Sequence, residues 1–412
     1  MPRGIHTVTV PGTVAGMALA HRRHGTLKWS QLVEPARKLA AEGFETSYHL
    51  AQSLRHEKSQ ERLNRSPESR RIFLRNGRFY EMGERLVQPE LARTLARIQK
   101  NPRDFYEGET ARLFAADMQR NDGLITLEDL KHYEPTVREP LRGSYRGYEV
   151  LTMPPPSSGG IALIEMLHML EPLDLKALGW HSAHYVHNLV EIQRRAFADR
   201  AAHLGDTDFV KVPVERLLSR DHARARRNDI DPYRATPSLG VVPPPEPAQT
   251  THFSIIDAEG NVVSNTYTIN DLYGTGFTVP GLGFLLNDEM DDFTAQPGVA
   301  NAWGLIQGEA NAVQPRKRPL SSMTPTIVLK EGKVAFAIGS PGGPSIINTV
   351  SSAGLQGQAS QINYGAAKAG IAAFSTIVAM EMARYGVRCN AIAPAARTRM
   401  TEGAYGSISD MS

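Results

Sequence analysis

Thr250 is the residue of this chain whose surroundings most strongly suggest covalent chemistry. It opens the stretch Thr-Thr-His-Phe-Ser (residues 250–254), and four of the five residues at 243–247 are proline. A threonine hydroxyl is a weak nucleophile that needs a nearby base. Chain cleavage before Thr250 would supply one, because a free α-amine has a pKa near ~8. A strand that simply begins with two β-branched residues gives the same pattern, so Thr250 and Thr251 alone leave both interpretations open.

The segment that must position Thr250 has the pattern of a β-hairpin. His252, Ser254 and Ile256 alternate with the residues between them, as in a strand. Residues 257–261 carry the Gly and Asn that turns favour, and the β-branched residues 262–269 predict a returning strand. The proline-rich approach favours an exposed, extended linker. We therefore predict an exposed bond, Gln249–Thr250, that leads into a central strand.

Several longer motifs resemble those of the gamma-glutamyltransferases (gamma-glutamyltranspeptidases), a family of N-terminal-nucleophile hydrolases. The resemblance covers about residues 6–349. It implies an α+β fold, a four-layer αββα sandwich in which two β-sheets lie between two helical layers. The matching motifs begin at Pro11 (Pro-Gly-Thr-Val-Ala-Gly), Met153 (Met-Pro-Pro-Pro-Ser-Ser-Gly-Gly), Thr250 (Thr-Thr-His-Phe-Ser), Asn265 (Asn-Thr-Tyr-Thr-Ile-Asn), Leu285 (Leu-Leu-Asn-Asp-Glu-Met-Asp-Asp-Phe), Pro319 (Pro-Leu-Ser-Ser-Met) and Gly339 (Gly-Ser-Pro-Gly-Gly).

The resemblance also implies the site residues, motif by motif. Autocatalytic cleavage after Gln249 would expose the nucleophile. The nucleophile, the hydroxyl that bonds to it and the two oxyanion-hole glycines fall on Thr250, Thr268, Gly342 and Gly343. The residues that would hold the α-amino group and α-carboxylate of the substrate fall on Asn270, Glu289, Asp292, Ser321 and Ser322.

The reaction implied by the resemblance is γ-glutamyl transfer or hydrolysis through an acyl-enzyme on Thr250, without a cofactor. Glutathione or another γ-glutamyl compound would be the donor, and water, an amino acid or a peptide would be the acceptor. The two fragments of the cut chain would remain associated. A chain that does not process itself, an inactive remnant, is the alternative.

The resemblance predicts a division of the chain into three parts. Residues 1–249 would be a large-subunit part without its usual N-terminal segment, and residues 250–350 a small-subunit part. Residues 351–412 instead resemble a fragment of a short-chain dehydrogenase/reductase, so the sandwich would be truncated at both ends and followed by a foreign α/β fragment. Ser351, Tyr364 and Lys368 match that family's catalytic residues. Because its glycine-rich cofactor loop is missing, an NAD(P)-dependent oxidoreductase is the least favoured function.

Composition excludes several other classes. The charged fraction is 22% and the net charge only +3, with no basic run interleaved with aromatics, so nucleic-acid binding is unsupported. The single cysteine, Cys389, rules out an internal disulfide framework, and no metal site is predicted. No stretch approaches the ~18 apolar residues of a membrane span. The start shows no signal peptide, although the family is usually periplasmic, secreted or at the cell surface, so localisation stays open.

The remaining elements are predicted from periodicity. Residues 32–40 indicate a helix with Ser30 as N-cap and Gly43 as stop, and Thr126 begins a capping box. The charged stretch 55–71 indicates a solvated helix or loop. Further elements are expected as a strand at 142–153, helices at 161–170, 183–204 and 366–382, and strands at 326–329 and 334–338.

Overall fold

The computed structural model describes residues 4–179, 182–237, 250–294, 296–299, 307–340, 345–349 and 388–392. The chain divides into two compact units, Met1–Pro341 and Gly342–Ser412. In the second unit two strands, Ser345–Thr349 and Arg388–Ile392, pair in parallel. The predicted helix at 366–382 lies outside the described residues.

The first unit contains helices along most of its length before residue 230. They are α1 Thr13–His24, α2 Trp29–Glu42, α3 Tyr48–Arg55, α4 Glu57–Leu63, α5 Pro67–Phe73, α6 Pro89–Lys100, α7 Asp104–Glu107, α8 Glu109–Arg120, α9 Leu127–Lys131, α10 Gly159–Leu170, α11 Leu175–Leu178, α12 Ala183–His203, α13 Val214–Leu217 and α14 Arg220–Asn228. Short 3-10 turns occupy Ile5–Thr7, Arg75–Gly77, Glu289–Asp292 and Glu309–Asn311. No helix in the described part of the chain is long and apolar enough to cross a membrane.

The strands are β1 Phe44–Glu45, β2 Arg85–Leu86, β3 Leu141–Tyr145, β4 Tyr148–Thr152, β5 Thr250–Ile256, β6 Val262–Thr268, β7 Thr326–Lys330 and β8 Lys333–Ile338, and the parallel pair of the second unit is β9 and β10. β3, β4, β7 and β8 form one antiparallel sheet in that order, and β5 pairs with β6. The predicted strands at 326–329 and 334–338 are confirmed.

The N-terminal helices mostly follow the sequence prediction. The capping box at Thr126 is confirmed, with Thr126 and Asp129 each accepting the other's backbone N–H, and Gly43 ends α2 at a φ of 78°. The prediction that Ser30 caps α2 is wrong. The helix already begins at Trp29, because the Gln31 side chain accepts the N–H of Lys28 at 3.1 Å.

The charged stretch 55–71 is less solvated than predicted. It forms α4 and α5, whose inner faces bury Leu63 and Ser69 completely. The Ser69 hydroxyl lies 2.8 Å from that of Thr278, which ties α5 to the segment after the β5–β6 hairpin. The many charged residues hid this second face, because a short helix needs only one or two buried positions to dock.

The single strand predicted at 142–153 is wrong, since these residues form the β3–β4 hairpin. Arg146 and Gly147 make its two-residue turn with φ values of 47° and 84°. This is the geometry that matches the twist of two adjacent strands. β4 then pairs with β7, and Ile164 of α10 packs so closely on Gly143 of β3 that a Cβ there would lie 2.7 Å from it.

The predicted hairpin at 249–270 is confirmed from Thr250 onwards. Ser264 of β6 fixes it to the sheet, because its hydroxyl accepts the N–H of Thr326 and donates to the carbonyl of Ile338, both at 3.2 Å. The opposite face carries large apolar side chains that are 40–56% exposed, namely Phe253, Ile255, Val263 and Tyr267.

Candidate active site

Thr250 and Thr268 are direct partners in the register of the β5–β6 hairpin, so their side chains leave the same face. Both are half-buried. The Thr268 Oγ1 atom accepts the backbone N–H of Asn270 at 2.8 Å. The hairpin therefore brings two hydroxyl groups together and fixes one of them to the turn that follows.

The same face continues with His252, which lies between two other hydroxyl groups. Its ring nitrogens are 2.7 Å from Thr266 Oγ1 and 3.0 Å from Ser254 Oγ. Burial lowers the pKa of His252, so the neutral imidazole is favoured. A Cβ on Gly339 would come within 2.2 Å of this ring, so glycine is needed where the strand end passes it.

Asn270 occupies a strained backbone position beside the hairpin. It has a φ of 71° and is 3% exposed, and its side-chain amide donates to the Asp288 carbonyl at 3.1 Å. Asp288 in turn accepts the N–H of Asp271 at 3.0 Å and pairs with Arg62 at 3.1 Å. Arg62, which sequence reasoning placed in a solvated stretch, also pairs with Asp271. This network links α4 to the turn after β6.

Glu289 and Asp292 lie on one 3-10 turn and form a coupled acidic pair. Burial raises the pKa of Asp292 to about 7, while the positive charge of Arg200 opposes this rise. Burial and the nearby charges of Asp292 and Asp288 raise the pKa of Glu289 well above its ordinary value. The Glu289 Oε1 atom is hidden from solvent and has no hydrogen-bond partner among the described residues. Such a pair is suited to receive an ammonium group.

Ser321 and Ser322 meet the loop 154–160, which the sequence linked to the same family. The Ser321 N–H donates to the Pro156 carbonyl at 2.9 Å, and the Ser321 carbonyl accepts the Ser158 N–H at 2.8 Å and its hydroxyl at 2.9 Å. The Ser158 and Ser322 hydroxyls are 3.3 Å apart. Two loops that are far apart in sequence therefore hold the serine pair.

Arg200 of α12 joins this group, although nothing in its sequence context distinguishes it from the other arginines of that helix. It is 4% exposed, and its Nε donates to Ser158 Oγ at 3.0 Å. One Nη2 hydrogen bond reaches Ser322 Oγ at 3.5 Å. Sequence reasoning missed it because its partners are 42 and 122 positions away.

A second acidic cluster is formed by side chains of α10, α12 and α14. Glu165, Asp199 and His222 present ligand-type atoms within 4.8 Å of one another. However, Arg226 donates twice to the Asp199 carboxylate, so a cation already faces it. Burial and the Asp199 carboxylate raise the pKa of Glu165 to about 9, which makes it a neutral acid beside an ionised one. Arg226 therefore already balances the ionised Asp199, while the two buried Glu165 carboxylate oxygens have no hydrogen-bond partner among the described residues.

Four predicted site residues, Gln249, Gly342, Gly343 and Ser351, lie outside the described residues, as do Tyr364 and Lys368. The others lie in the first unit. Asn270 is tied to Thr268, and Ser322 is tied to Arg200, whose charge acts on Asp292.

Sequence comparison gives two family matches. Residues 1–368 match the family Gamma-glutamyltranspeptidase, and residues 331–411 match the family Enoyl-(Acyl carrier protein) reductase. The chain is 47% identical over 360 residues to the glutathione hydrolase proenzyme of Escherichia coli, with 86% of this chain and 61% of that protein covered. The corresponding proenzyme of Pseudomonas aeruginosa is 46% identical over 358 residues, with 84% and 62% covered. The chain thus spans about three fifths of the length of these relatives.

Solved structures show the same fold. A cephalosporin acylase from Bacillus halodurans superposes with a TM-score of 0.70 at 26% identity, covering 82% of this chain and 60% of that one. The Helicobacter pylori gamma-glutamyltranspeptidase gives a TM-score of 0.55 at 41% identity, covering 57% and 67%. The α+β class of the N-terminal-nucleophile hydrolases is confirmed by these similarities.

Proposed function

This chain belongs to the gamma-glutamyltranspeptidase family, and on that basis we propose that it transfers or hydrolyses γ-glutamyl groups through an acyl-enzyme on Thr250. The observation that carries the proposal is the register pair Thr250–Thr268, at the start of a strand whose preceding bond would be the cleavage site. A second hydroxyl beside the nucleophile supports polarisation of its O–H bond.

Activation would be intramolecular. The Thr250 hydroxyl attacks the carbonyl carbon of Gln249, the peptide bond becomes an ester as the Thr250 nitrogen takes up the hydroxyl proton, and water hydrolyses the ester. The new α-amine of Thr250 then serves as base, since its pKa near ~8 leaves part of it neutral at working pH. We place Gly342 and Gly343 at the oxyanion on the strength of their motif alone.

In the reaction itself, the Thr250 Oγ1 atom would attack the γ-carbonyl carbon of a glutathione-like donor. The α-amine accepts the hydroxyl proton and passes it to the leaving amine. Water, or the amine of an amino acid or peptide, then takes the acyl group and frees the threonine. Asn270, Glu289 and Asp292 would hold the donor's α-amino group, and the Ser321–Ser322 pair its α-carboxylate.

The contacts across residues 249 and 250 support continued association of the two fragments. β4 pairs with β7 over five residues, Arg62 pairs with Asp271 and Asp288, and the Asn287 side chain exchanges hydrogen bonds with the backbone of Thr9. These interactions do not depend on an intact bond at residue 250.

Intact mass and a denaturing gel test the proposal first. Two fragments, one beginning at Thr250, followed by hydrolysis of a γ-glutamyl anilide, are the expected results. A folded but uncut chain of 45.2 kDa without γ-glutamyl activity would contradict it and favour the inactive remnant.

A further inference from the structure

Arg200 differs from the other buried arginine of α12. Arg195 is 9% exposed and pairs with Glu191 at 2.6 Å, and it also donates to the carbonyls of Arg226 and Asp229. Arg200 is more deeply buried, yet no carboxylate of the described residues lies within 4.0 Å of its guanidinium. Its described hydrogen bonds go only to the Ser158 and Ser322 hydroxyls.

A buried charge without a close counter-ion is costly, so folds rarely retain one without a reason. Burial lowers the pKa of Arg200 to about 10, which still leaves the guanidinium charged at neutral pH. The negative charge that acts on it is that of Asp292. Asp291 and Asp288, which lie near Asp292, instead oppose ionisation of Asp292.

We propose that Arg200 is a positioning residue of the donor pocket, which orients the Ser322 hydroxyl and whose positive charge acts on Asp292. The inference rests on the proposed function, because it assigns Arg200 to the pocket that would hold a γ-glutamyl donor. Arg200 donates a hydrogen bond to Ser322 of the serine pair, and its charge acts on Asp292 of the acidic turn.

The direction of the hydrogen bonds explains how Arg200 would orient the serine. A guanidinium only donates. Ser158 therefore accepts from Arg200 and sends its own proton to the Ser321 carbonyl. Ser322 also accepts from Arg200, so its proton turns either to Ser158 or to an incoming carboxylate. Arg200 thus leaves the Ser322 hydroxyl available as a donor to an anion.

The test compares Arg200→Gln and Arg200→Lys with the control Arg195→Gln, which removes a buried guanidinium from the same helix but outside the pocket. For Arg200→Gln we expect KM for a γ-glutamyl anilide to rise at least tenfold with a smaller change in kcat. The midpoint of the kcat/KM rise near pH 7, which we assign to Asp292, should move up by about one unit, because Asp292 loses the positive charge of Arg200. Arg200→Lys should restore the midpoint but not the full affinity. The control Arg195→Gln should keep the wild-type KM and the wild-type pH midpoint.

Failure of the proposed function has a different signature, because wild-type protein would then be uncut and inactive. A second measurement therefore uses thermal unfolding of the uncut Thr250→Ala protein at pH 8. The loss of Tm caused by Arg200→Gln should shrink when Asp292→Asn is also present, and equal losses in both backgrounds would overturn the inference. Unchanged KM and midpoint in Arg200→Gln would overturn it as well, as would an unchanged KM in Arg200→Lys if the glutamine variant does not fold.

Discussion

Thr268 faces Thr250 across the β5–β6 hairpin as its direct partner, and the Oγ1 atom of Thr268 is held by the N–H of Asn270 at 2.8 Å. The register of a single hairpin therefore relates the candidate nucleophile to its neighbouring hydroxyl and to the first residue of the donor pocket. Because a shift of one residue would turn every side chain to the other face, this relationship is sensitive to the hairpin's pairing.

The first prediction concerns the nucleophile. Thr250→Ala should give a folded, uncut chain of 45.2 kDa with activity reduced by about 10³-fold or more, because neither the ester nor the acyl-enzyme can form. Thr250→Ser keeps a hydroxyl and should still be cut, more slowly. Intact mass spectrometry over a time course distinguishes them. Cleavage of the alanine variant at the same bond would contradict the assignment.

The second prediction concerns Thr268. Thr268→Val preserves the β-branched shape but removes the hydroxyl, so cleavage and turnover should both fall on the order of 10- to 100-fold, the effect of losing one strong hydrogen bond. Thr268→Ser is the control that retains the hydroxyl. Rates of fragment appearance for the two variants should differ, and the valine variant should also be less stable by about 1–3 kcal/mol, because the buried Asn270 N–H loses its acceptor. Equal rates would indicate that Thr268 is only a strand residue.

The third prediction concerns pH and the acidic pair. Since the pKa of Asp292 is raised to about 7, the carboxylate that would bind an ammonium group forms only as pH rises through that value. The kcat/KM of a γ-glutamyl donor should therefore increase from pH 6 to pH 8. Asp292→Asn should remove the part of this rise that is centred near pH 7 and lower kcat/KM about 100-fold, leaving only the rise centred near ~8 that belongs to the α-amine base. For a donor without the α-amino group, kcat/KM should be the same for Asp292→Asn and wild type. A difference would mean that Asp292 does not act by binding the ammonium group.

Much of this site was predictable because it is encoded in contiguous motifs. The alternation around Thr250 and the turn at 257–261 specify the hairpin, and Asn270, Asp292 and Ser322 each sit in a recognisable stretch. Arg200 could not be found this way. Its role depends on hydroxyls from the loop before α10 and from the segment before β7, and such convergence leaves no local spacing in the sequence.

The two wrong predictions of secondary structure and exposure, at residues 142–153 and 55–71, also had a local cause. Residues 142–153 were predicted as one strand because the aromatic residues Tyr145 and Tyr148 stand on both sides of the turn, and only Gly147 marks its two left-handed positions. The stretch 55–71 appeared solvated because its charges outnumber its buried residues, although Arg62 there pairs with the turn after β6.

The fourth prediction concerns Glu165, whose folded-state pKa of about 9 lies above its ordinary 4.5. A raised carboxyl pKa contributes stability that is complete below about 4.5 and lost as pH rises towards 9. Glu165→Gln removes this loss, because an amide does not ionise. The variant should be close to wild type in urea at pH 4 and increasingly more stable than wild type as pH rises towards 9, with a slope difference of at most ~1.4 kcal/mol per pH unit. If the free energy of unfolding of the variant and of the wild type changed in parallel with pH, Glu165 would not be a neutral acid in the folded protein.

The fifth prediction concerns Gly274, the first glycine of a Gly-Thr-Gly sequence. Gly274 has a φ of 53°, and a Cβ would lie 2.1 Å from the Leu286 carbonyl, which the N–H of Thr275 also approaches at 3.0 Å. Gly274→Ala should therefore lower the free energy of unfolding by on the order of 3 kcal/mol, the sum of left-handed strain and backbone displacement.

Gly281→Ala is a matched control, since its φ is 78° but nothing lies within 4 Å of the added atom. It should cost only about 1 kcal/mol. Urea unfolding measures both, and equal losses would mean that strain alone, and not the contact with Leu286, requires glycine at position 274.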